Sequence, residues 1–435
     1  MKRISKSDKF LNAKRYAKLL KKNKNLRNLK RRQRKLNLLE NKIYTSQFLS
    51  ESSPYSVKSG FSLSNDIVIP EVFSIISSPE AALSTFSQLV FNARHKKNLK
   101  KVSIDHSHMK EVDLAAEFIL DRAAVELLKE KKSRQIKLNM TGFYPLDKRL
   151  RRYIKAIGII KNLDIKHEFL TLKEESNLEI FERQNNRLSR QEGMGVTDYK
   201  EQIVIDFVEH INKCLNKNGS ELTLEAIDEL MEYTGEILSN AEDHSGSEDW
   251  TIAGYYDHEE DNHICEIAIF NTGKSIAETF LELNPSSYAY KCIEPYILAH
   301  EKSSLFTESW KKEDLITLAS LQGNISTKNI SSNDTRGQGT VEMIEFFQQI
   351  YRECNTKASS CAKMAILSGS THILFDGKYE IISNNTGRKV IAFNAENDLN
   401  KLPDKKYIKN IKNHFFPGTI ISIRFPLQES QTSRV

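Results

Sequence analysis

A polar stripe on one predicted helix carries residue types that can bind a cation and activate water. Between Thr223 and His244 apolar residues recur every three or four positions, which predicts an amphipathic helix with one buried side. Glu236, Asn240 and His244 share a second stripe, and Asp243 lies beside it. Carboxylate and amide oxygens suit general-base chemistry and hard divalent cations. By itself, such a stripe is also typical of an ordinary solvent-exposed helix face.

Two glycine-containing turns follow this helix at positions where a backbone can receive an anion. Residues 271–276 (NTGKSI) come directly after a predicted strand, and residues 336–340 (RGQGT) open a predicted helix. Backbone amides and the positive end of a helix dipole attract anions at such turns. Glycine also occurs at ordinary helix starts, so neither turn alone identifies a binding site.

The elements around these turns predict an α/β fold. Alternating apolar residues indicate strands in WTIAGYY and HICEIAIF, which the polar segment DHEEDN joins as a hairpin. Further strands are predicted in THILF, YEIIS, KVIAF and the closing IISIRFPL, and the tight turn NNTG joins YEIIS to KVIAF. Strands combined with amphipathic helices predict a sheet that is covered by helices.

In order and spacing, the pieces over residues 200–427 resemble the GHKL ATPases, the superfamily of gyrase, heat-shock chaperone ATPases and histidine kinases. EILSNAEDH is similar to the family's N box, IFNTGKSI and RGQGTVEMI are similar to its two glycine boxes, and GTIISIRFP is similar to its closing strand. The resemblance implies an α/β fold of the α+β two-layer sandwich type that binds ATP together with Mg²⁺.

The resemblance also implies a role for each matching residue. Glu236 would orient and deprotonate the water that attacks the γ-phosphate, and Asn240 would be the protein ligand of Mg²⁺. Thr419 would help to hold the adenine. The other implied nucleotide-binding residues are Asp243, His244, Asn271, Gly273, Ile276, Arg336, Gly337, Gln338, Gly339 and Thr340. Lys274 and Lys302 are further candidate phosphate-binding cations.

Two positions depart from the family pattern. Asn271 stands where the first glycine box usually has Asp, which accepts a hydrogen bond from the adenine amino group. An amide oxygen can accept the same bond without charge assistance, so weaker binding is expected. Ser275 stands where the box usually has a second glycine, and its side chain is expected to narrow the approach of the backbone to the nucleotide.

The chain before the ATPase-like region predicts a smaller α/β domain. The strands KVSIDHS and QIKLNM alternate with helices, and the order of elements resembles STAS-like domains, which are regulatory modules that bind partners. The predicted segments are a tail at 1–45, a linker at 46–82, the STAS-like domain at 83–171, a connector at 172–200, the ATP-binding domain at 201–427 and a short tail at 428–435.

The basic character of the chain is concentrated near its N-terminus. Residues 1–43 contain 17 Lys and Arg against Asp8 and Glu40, a local net charge of +15, whereas the rest of the chain carries 47 basic and 55 acidic residues. A basic helix of this kind is typical of contacts with nucleic-acid phosphates. A solvated extension, a helix that packs on a partner chain and a membrane-surface contact are the alternatives.

Composition and motifs exclude several classes of protein. No window approaches the roughly 18 apolar residues of a membrane span, and no apolar core follows the first basic residues as in a secretory signal. The five cysteines form no CxxC pair, which favours reduced thiols and a cytoplasmic location. No GxxxxGK[ST] sequence occurs, which argues against a P-loop nucleotide fold.

Three functions are compatible with these observations. The leading one is a regulatory ATPase that hydrolyses Mg-ATP to switch its conformation or its binding to a protein partner. The alternatives are a protein kinase of the anti-sigma or histidine-kinase type, and a non-catalytic nucleotide-binding module that acts on nucleic acid through its basic tail. A homodimer is a further expected assembly, and either signalling or bacterial defence would fit.

Overall fold

The computed structural model describes residues 64–96, 98–158, 177–185, 196–217, 219–244, 249–258, 263–301, 310–331, 337, 339–354, 362–384, 387–427 and 432–434. All of these residues belong to one compact unit, which spans residues 46–435. The predicted basic helix at 1–45 lies outside the described residues, and so does its expected nucleic-acid contact.

The helices of the described chain are α1 (Pro79–His95), α2 (Leu114–Ser133), α3 (Lys148–Ile157), α4 (Val196–Asn216), α5 (Leu224–His244), α6 (Ile276–Leu281), α7 (Tyr288–Glu301), α8 (Lys312–Ser320) and α9 (Gly339–Cys354). The strands are β1 (Asp66–Val68), β2 (Val72–Phe73), β3 (Lys101–Asp105), β4 (Glu111–Val112), β5 (Asn139–Phe143), β6 (Leu178–Asn185), β7 (Ser220–Leu222), β8 (Trp250–Asp257), β9 (Ile264–Thr272), β10 (Lys363–Gly369), β11 (Thr371–Phe375), β12 (Ile382–Ser383), β13 (Lys389–Val390), β14 (Ile408–Asn410), β15 (Phe416–Pro426) and β16 (Thr432–Arg434). Within the described residues, no helix has both the length and the apolar character needed to cross a membrane.

Seven antiparallel strands form the largest sheet, in the order β14-β11-β10-β15-β9-β8-β6. Strand β15 pairs with β9 on one side and sets Thr419 opposite Asn271. On its other side it pairs with β10 and sets Thr419 opposite Ser368. Three polar residues are thereby aligned across three neighbouring strands.

Helices α4, α5 and α9 cover one face of this sheet. Phe207, Leu238 and Phe347 of these helices are buried in one cluster with sheet residues that include Ile269 and Ile366. Fully burying an aliphatic or aromatic side chain contributes about 2 kcal/mol. The shared core therefore fixes the three helices on the sheet and determines which of their residues face it.

The opposite face of the same sheet is covered by the N-terminal part of the described chain. There β1, β3 and β5 form a parallel sheet, and α1, α2 and α3 belong to the same core. Helix α2 packs on β9 and β15, where its buried residues share a cluster with Ala268, Phe270 and Ile420. Every residue of β9 is buried as a result. The mixed α/β class predicted from the sequence is confirmed.

A buried polar cluster lies between the N-terminal layer and the large sheet. The carboxylate of Glu266 on β9 accepts hydrogen bonds from the backbone nitrogen of Leu114 at 2.7 Å and from the hydroxyl of Tyr153 at 2.8 Å. The guanidinium of Arg424 lies 3.6 Å from the same carboxylate. Burial raises the pKa of Glu266 to about 7, and it also raises the pKa of Asp113, which begins α2.

Helices α6, α7 and α8 form a third group beyond the end of β9. They enclose a small apolar cluster that includes Phe280, Ile293 and Ile316. Asp314 on α8 attaches this group to the sheet, because its carboxylate accepts hydrogen bonds from Thr371 Oγ1 at 2.8 Å and from Asn410 Nδ2 at 3.0 Å. These three helices thus have an apolar core of their own.

Two stretches predicted as linkers contain strands. Residues 64–82 include β1 and β2, and residues 178–185 form β6 at the edge of the seven-stranded sheet. In β6 the buried positions are interrupted by Glu179, Glu182 and Arg183. Charged residues are common on edge strands, where they oppose pairing with other chains, so the apolar signal of such a strand is weak.

Candidate functional site

A pocket lies between the seven-stranded sheet and helices α5, α6 and α9. The space inside it is about 130 Å³, and the pocket opens to solvent. Its walls combine apolar side chains with amide and hydroxyl groups.

Residues from all four sequence motifs line this pocket. They come from α5, from the end of β9 and the start of α6, from the turn into α9, and from β15. The predicted site residues among them are Asn240, Asn271, Ile276, Gly337, Thr340 and Thr419. The fold therefore brings together side chains that are widely separated in the sequence.

Glu236 lies beside the first residue of α9. A Cβ placed on Gly339 would overlap the Cγ of Glu236 and would lie 2.7 Å from its Cδ. Because Gly339 has no side chain, the side chain of Glu236 can occupy this space. Asn240 follows one turn later on α5, and Thr340 follows Gly339 on α9; both line the pocket. Glu236 consequently stands at the edge of the pocket.

Several carboxylates face one another where α5 meets α9. Burial raises the pKa of Glu342 on α9, and the neighbouring charges of Glu232 and Glu236 raise it further. Lys389, which forms an ion pair with Glu345, lowers the pKa of Glu342 in the opposite sense. The place where the two helices meet is therefore an acidic cluster with one lysine beside it.

Gly337 occupies a backbone conformation that suits glycine. Its φ is +96°, and a Cβ on it would overlap the carbonyl oxygen of Ile325. Both the positive φ and the close contact disfavour any larger residue. Glycine at this position lets the turn before α9 approach the chain at Ile325, and both residues line the pocket.

Hydroxyl groups connect the pocket floor to the start of α6. The backbone nitrogen of Ile276 donates to Ser368 Oγ at 2.8 Å. Ser368 Oγ lies 2.8 Å from Thr419 Oγ1 and can also donate to the carbonyl oxygen of Gly418 at 3.3 Å. Thr419 is therefore held in place through Ser368, a residue that the sequence motifs did not identify.

Asn271 lies on the floor of the pocket opposite Thr419. Its side chain is 8% exposed, and no described residue forms a hydrogen bond with its amide. Buried amides normally have hydrogen-bond partners. The Asn271 amide is thus available to a ligand that enters the pocket.

The first glycine turn has a structural role at three of its positions. The backbone nitrogen of Gly273 donates to the carbonyl oxygen of Pro417 at 3.1 Å and so joins the end of β9 to the start of β15. Ser275 caps α6: its hydroxyl accepts from the backbone nitrogen of Glu278 at 3.3 Å, and the carboxylate of Glu278 accepts from the backbone nitrogen of Ser275 at 2.7 Å. Lys274 lines the pocket and forms an ion pair with Glu282.

Gly273 and Ser275 are not among the residues that line the pocket. The hydroxyl of Ser275 is buried against the first turn of α6 and lies 3.2 Å from the position of a Cβ on Gly369. The expected narrowing of the ligand site by this serine is therefore not seen in the pocket.

Some predicted site residues cannot be placed. Arg336, Gln338 and Lys302 lie outside the described residues. Asp243 and His244 belong to the last turn of α5, but their side chains are not part of the described structure.

The pocket also contains residues that sequence reasoning missed. Phe280 and Thr279 of α6, Met343 of α9, and Ser326 and Thr327 after α8 all line it. Thr279 and Phe280 come about one helical turn after the first glycine turn. This closeness in sequence was the available sign that they could reach the pocket. The segment after α8 carries no motif, so only the fold shows that it closes the pocket.

A divalent cation would need oxygen ligands from the bound molecule as well as from the chain. The described residues contain no group of three or more His, Cys, Asp or Glu that could hold a metal ion. Asn240 offers one amide oxygen in the pocket, and Mg²⁺ is commonly held by one or two protein oxygens together with phosphates and water. The donor set therefore fits a cation that enters with a phosphorylated ligand.

Comparison with known proteins assigns no family to the chain. No family model matches it, and no curated protein and no solved structure matches it either.

Proposed function

We propose that this chain binds Mg-ATP in the pocket and hydrolyses it. The observation that supports this most strongly is the convergence of Asn240, Asn271, Gly337 and Thr419 on one pocket from four separate segments of the chain. Each supplies a group that a different part of a nucleotide requires: a cation ligand, two polar groups for the base, and a backbone turn for phosphate.

The base is best accommodated on the sheet. Ile269, Ile366 and Ile421 give the floor of the pocket an apolar surface, and Asn271 and Thr419 add polar groups to it. An aromatic base needs apolar contacts on its faces and hydrogen bonds at its edge. The floor offers both.

The phosphates are best accommodated at the N-terminus of α9. Gly337 and Thr340 line the pocket there, and the first backbone amides of a helix attract phosphate oxygens. Asn240 would hold Mg²⁺ together with the phosphates, and the ion would neutralise part of their negative charge.

Glu236 is the proposed general base. In this step its carboxylate takes a proton from a water molecule, and the water oxygen forms a bond to the γ-phosphorus. The bond between that phosphorus and the bridging oxygen of the β-phosphate breaks, so that ADP and phosphate leave. The contact of Glu236 with Gly339 holds its carboxylate beside the phosphate-binding turn.

Hydrolysis and phosphotransfer can be separated with γ-labelled ATP. Hydrolysis releases label as free phosphate, whereas the protein-kinase alternative transfers label to a protein. Release of phosphate that stops in Glu236→Gln while nucleotide binding persists would support the proposal. Label that appears only on protein would favour the kinase.

The layer on the back of the sheet gives ATP binding a route to a partner. Helix α2 packs on β9 and β15, the two strands that carry Asn271 and Thr419. Binding that shifts these strands would change the surface of the N-terminal layer. We propose that a protein partner reads this change, in keeping with the STAS-like order of elements.

A further inference from the structure

The base-binding floor of the pocket is built from groups that can both donate and accept hydrogen bonds. Asn271 presents an amide, whose oxygen accepts and whose nitrogen donates. A carboxylate at this position could only accept. Because no described residue bonds the Asn271 amide, no described contact selects one of its two orientations, which differ by a half-turn about χ2.

The hydroxyl of Thr419 can likewise donate or accept a hydrogen bond in the pocket, depending on its contact with Ser368 Oγ. Ser368 Oγ accepts from the backbone nitrogen of Ile276 at 2.8 Å and has one proton of its own to place. If that proton goes to Gly418 O at 3.3 Å, Thr419 can donate to Ser368 and present lone pairs to the pocket. If it goes to Thr419 Oγ1 at 2.8 Å, the proton of Thr419 is left for the ligand.

No charged side chain among the described residues fixes the polarity of this floor. The other floor residues are Ile269, Ile366 and Ile421, and the lysine that lines the pocket, Lys274, forms an ion pair with Glu282. The floor can therefore match either hydrogen-bonding pattern at the edge of a purine.

A 6-aminopurine and a 6-oxopurine present opposite patterns at this edge. Adenine donates from its 6-amino group and accepts at N1, whereas hypoxanthine and guanine accept at O6 and donate from N1. One orientation of the Asn271 amide matches the first pattern, and the reversed orientation matches the second. We propose, on the basis of the nucleotide-binding function proposed above, that this pocket also accepts 6-oxopurine nucleoside triphosphates and that Asn271 is the specificity-determining residue.

Calorimetry tests this inference on the full chain. Non-hydrolysable analogues of ATP and of ITP, which has a 6-oxo group and no 2-amino group, are each titrated in the presence of magnesium, so that turnover does not disturb the equilibrium. For the wild-type chain the dissociation constants of the two analogues should agree to within about tenfold, because neither ligand leaves a buried polar group unpaired. An ITP analogue that binds more than about a hundredfold more weakly than the ATP analogue would overturn the inference.

Asn271→Asp should restore selectivity for the 6-amino group. Its carboxylate can still accept from adenine but would face O6 of ITP without a proton to donate, so the ratio of the ITP to the ATP dissociation constant should rise at least about tenfold. Asn216→Asp, the same change at the exposed end of α4, is the control and should leave the ratio unchanged. An unchanged ratio in Asn271→Asp would also overturn the inference.

The two proposals fail in different ways. If the ATP analogue itself does not bind to the wild-type chain, the nucleotide-binding function is wrong and the inference falls with it. If the ATP analogue binds but the ITP analogue does not, the nucleotide-binding function stands. The inference that the floor accepts both classes of purine is then wrong. The wild-type comparison does not depend on the folding of any variant.

Discussion

At the scale of single residues, the absence of a side chain at Gly339 leaves room for Glu236, the proposed general base. Glycine at 339 leaves the volume that the Glu236 side chain fills, and Asn240 lies one turn further along the same helix. The proposed general base and the proposed cation ligand are thereby both held on α5, which the core fixes against the sheet. Rigid placement of this kind is what a catalytic base requires.

Glu236→Gln should abolish turnover and preserve binding. The amide has the size of the carboxylate but cannot take a proton, so the rate of phosphate release should fall at least about a hundredfold. The measurement is phosphate release together with the affinity for a non-hydrolysable ATP analogue. Glu225→Gln, at an exposed position in the first turn of the same helix, is the matched control. Equal rates in the two variants would contradict the assignment of the base.

Gly339→Ala should lower turnover by displacing Glu236. The added Cβ overlaps the Glu236 side chain, which must move away from the turn before α9. Gly235→Ala is a matched control on α5, because a Cβ there meets nothing within 4 Å. The control should raise the free energy of unfolding by about 1 kcal/mol through helix propensity and leave turnover intact. If the Gly339→Ala variant is as active as wild type, turnover does not depend on the position that Glu236 occupies.

At the scale of elements, the first glycine turn joins strand β9 to helix α6. Gly273 ties β9 to β15, and Ser275 begins α6 with reciprocal hydrogen bonds to Glu278. The serine at position 275 therefore has a structural role as the N-cap of α6. Helix α6 in turn carries Phe280 and Thr279 into the pocket.

Ser275→Ala should weaken α6 without reshaping the pocket. Loss of the N-cap and of the partner of Glu278 should lower the free energy of unfolding by about 1 kcal/mol. Nucleotide affinity should change little, because Ser275 does not line the pocket. Chemical denaturation compares this variant with Ser286→Ala, whose hydroxyl makes only an exposed contact with Asn284. Equal stabilities would show that the cap contributes nothing.

Helices and strands can be predicted from the sequence where apolar residues recur with one regular spacing. They are predicted poorly where charged residues interrupt that spacing. The regular spacing in α5 and the buried strands β8 and β9 could be predicted from their residues. Strand β6 could not, because charged residues break its pattern at the sheet edge. The role of Ser368 was hidden for another reason: its contact with Thr419 depends on strand pairing between distant segments.

At the scale of the whole molecule, the seven-stranded sheet is a middle layer with two cores. The pocket opens on the face covered by α5 and α9, and the N-terminal layer occupies the other face. Sequence motifs identified seven of the twenty residues that line the pocket, most of them polar residues or glycine near the ends of elements. They could not reveal the stacking of the layers, which rests on apolar residues without a distinctive order.

The buried carboxylate between the layers should make stability depend on pH. Burial raises the pKa of Glu266 from its ordinary 4.5 to about 7, so the folded chain binds this proton more tightly than the unfolded chain does. The corresponding stability is fully present below about pH 4.5 and is lost as the pH rises towards 7, by up to about 3 kcal/mol. Asp113 shifts in the same direction.

Glu266→Gln should flatten this dependence. The amide oxygen can still accept from Leu114 and Tyr153 but does not titrate. Denaturation at pH 5 and pH 8 should show a smaller loss of unfolding free energy in Glu266→Gln than in wild type. Glu209→Gln, at an exposed position on α4, should behave as wild type. The same loss in Glu266→Gln as in wild type would place the titrating group elsewhere.

Above all, we propose that the pocket binds Mg-ATP through Asn240. The most direct measurement is a calorimetric titration of the full chain with a non-hydrolysable ATP analogue and magnesium, beside the same titration of Asn240→Ala. We predict saturable binding at one site per chain in wild type and its loss in Asn240→Ala. Absence of binding in wild type, or equal binding in the two proteins, would contradict the account.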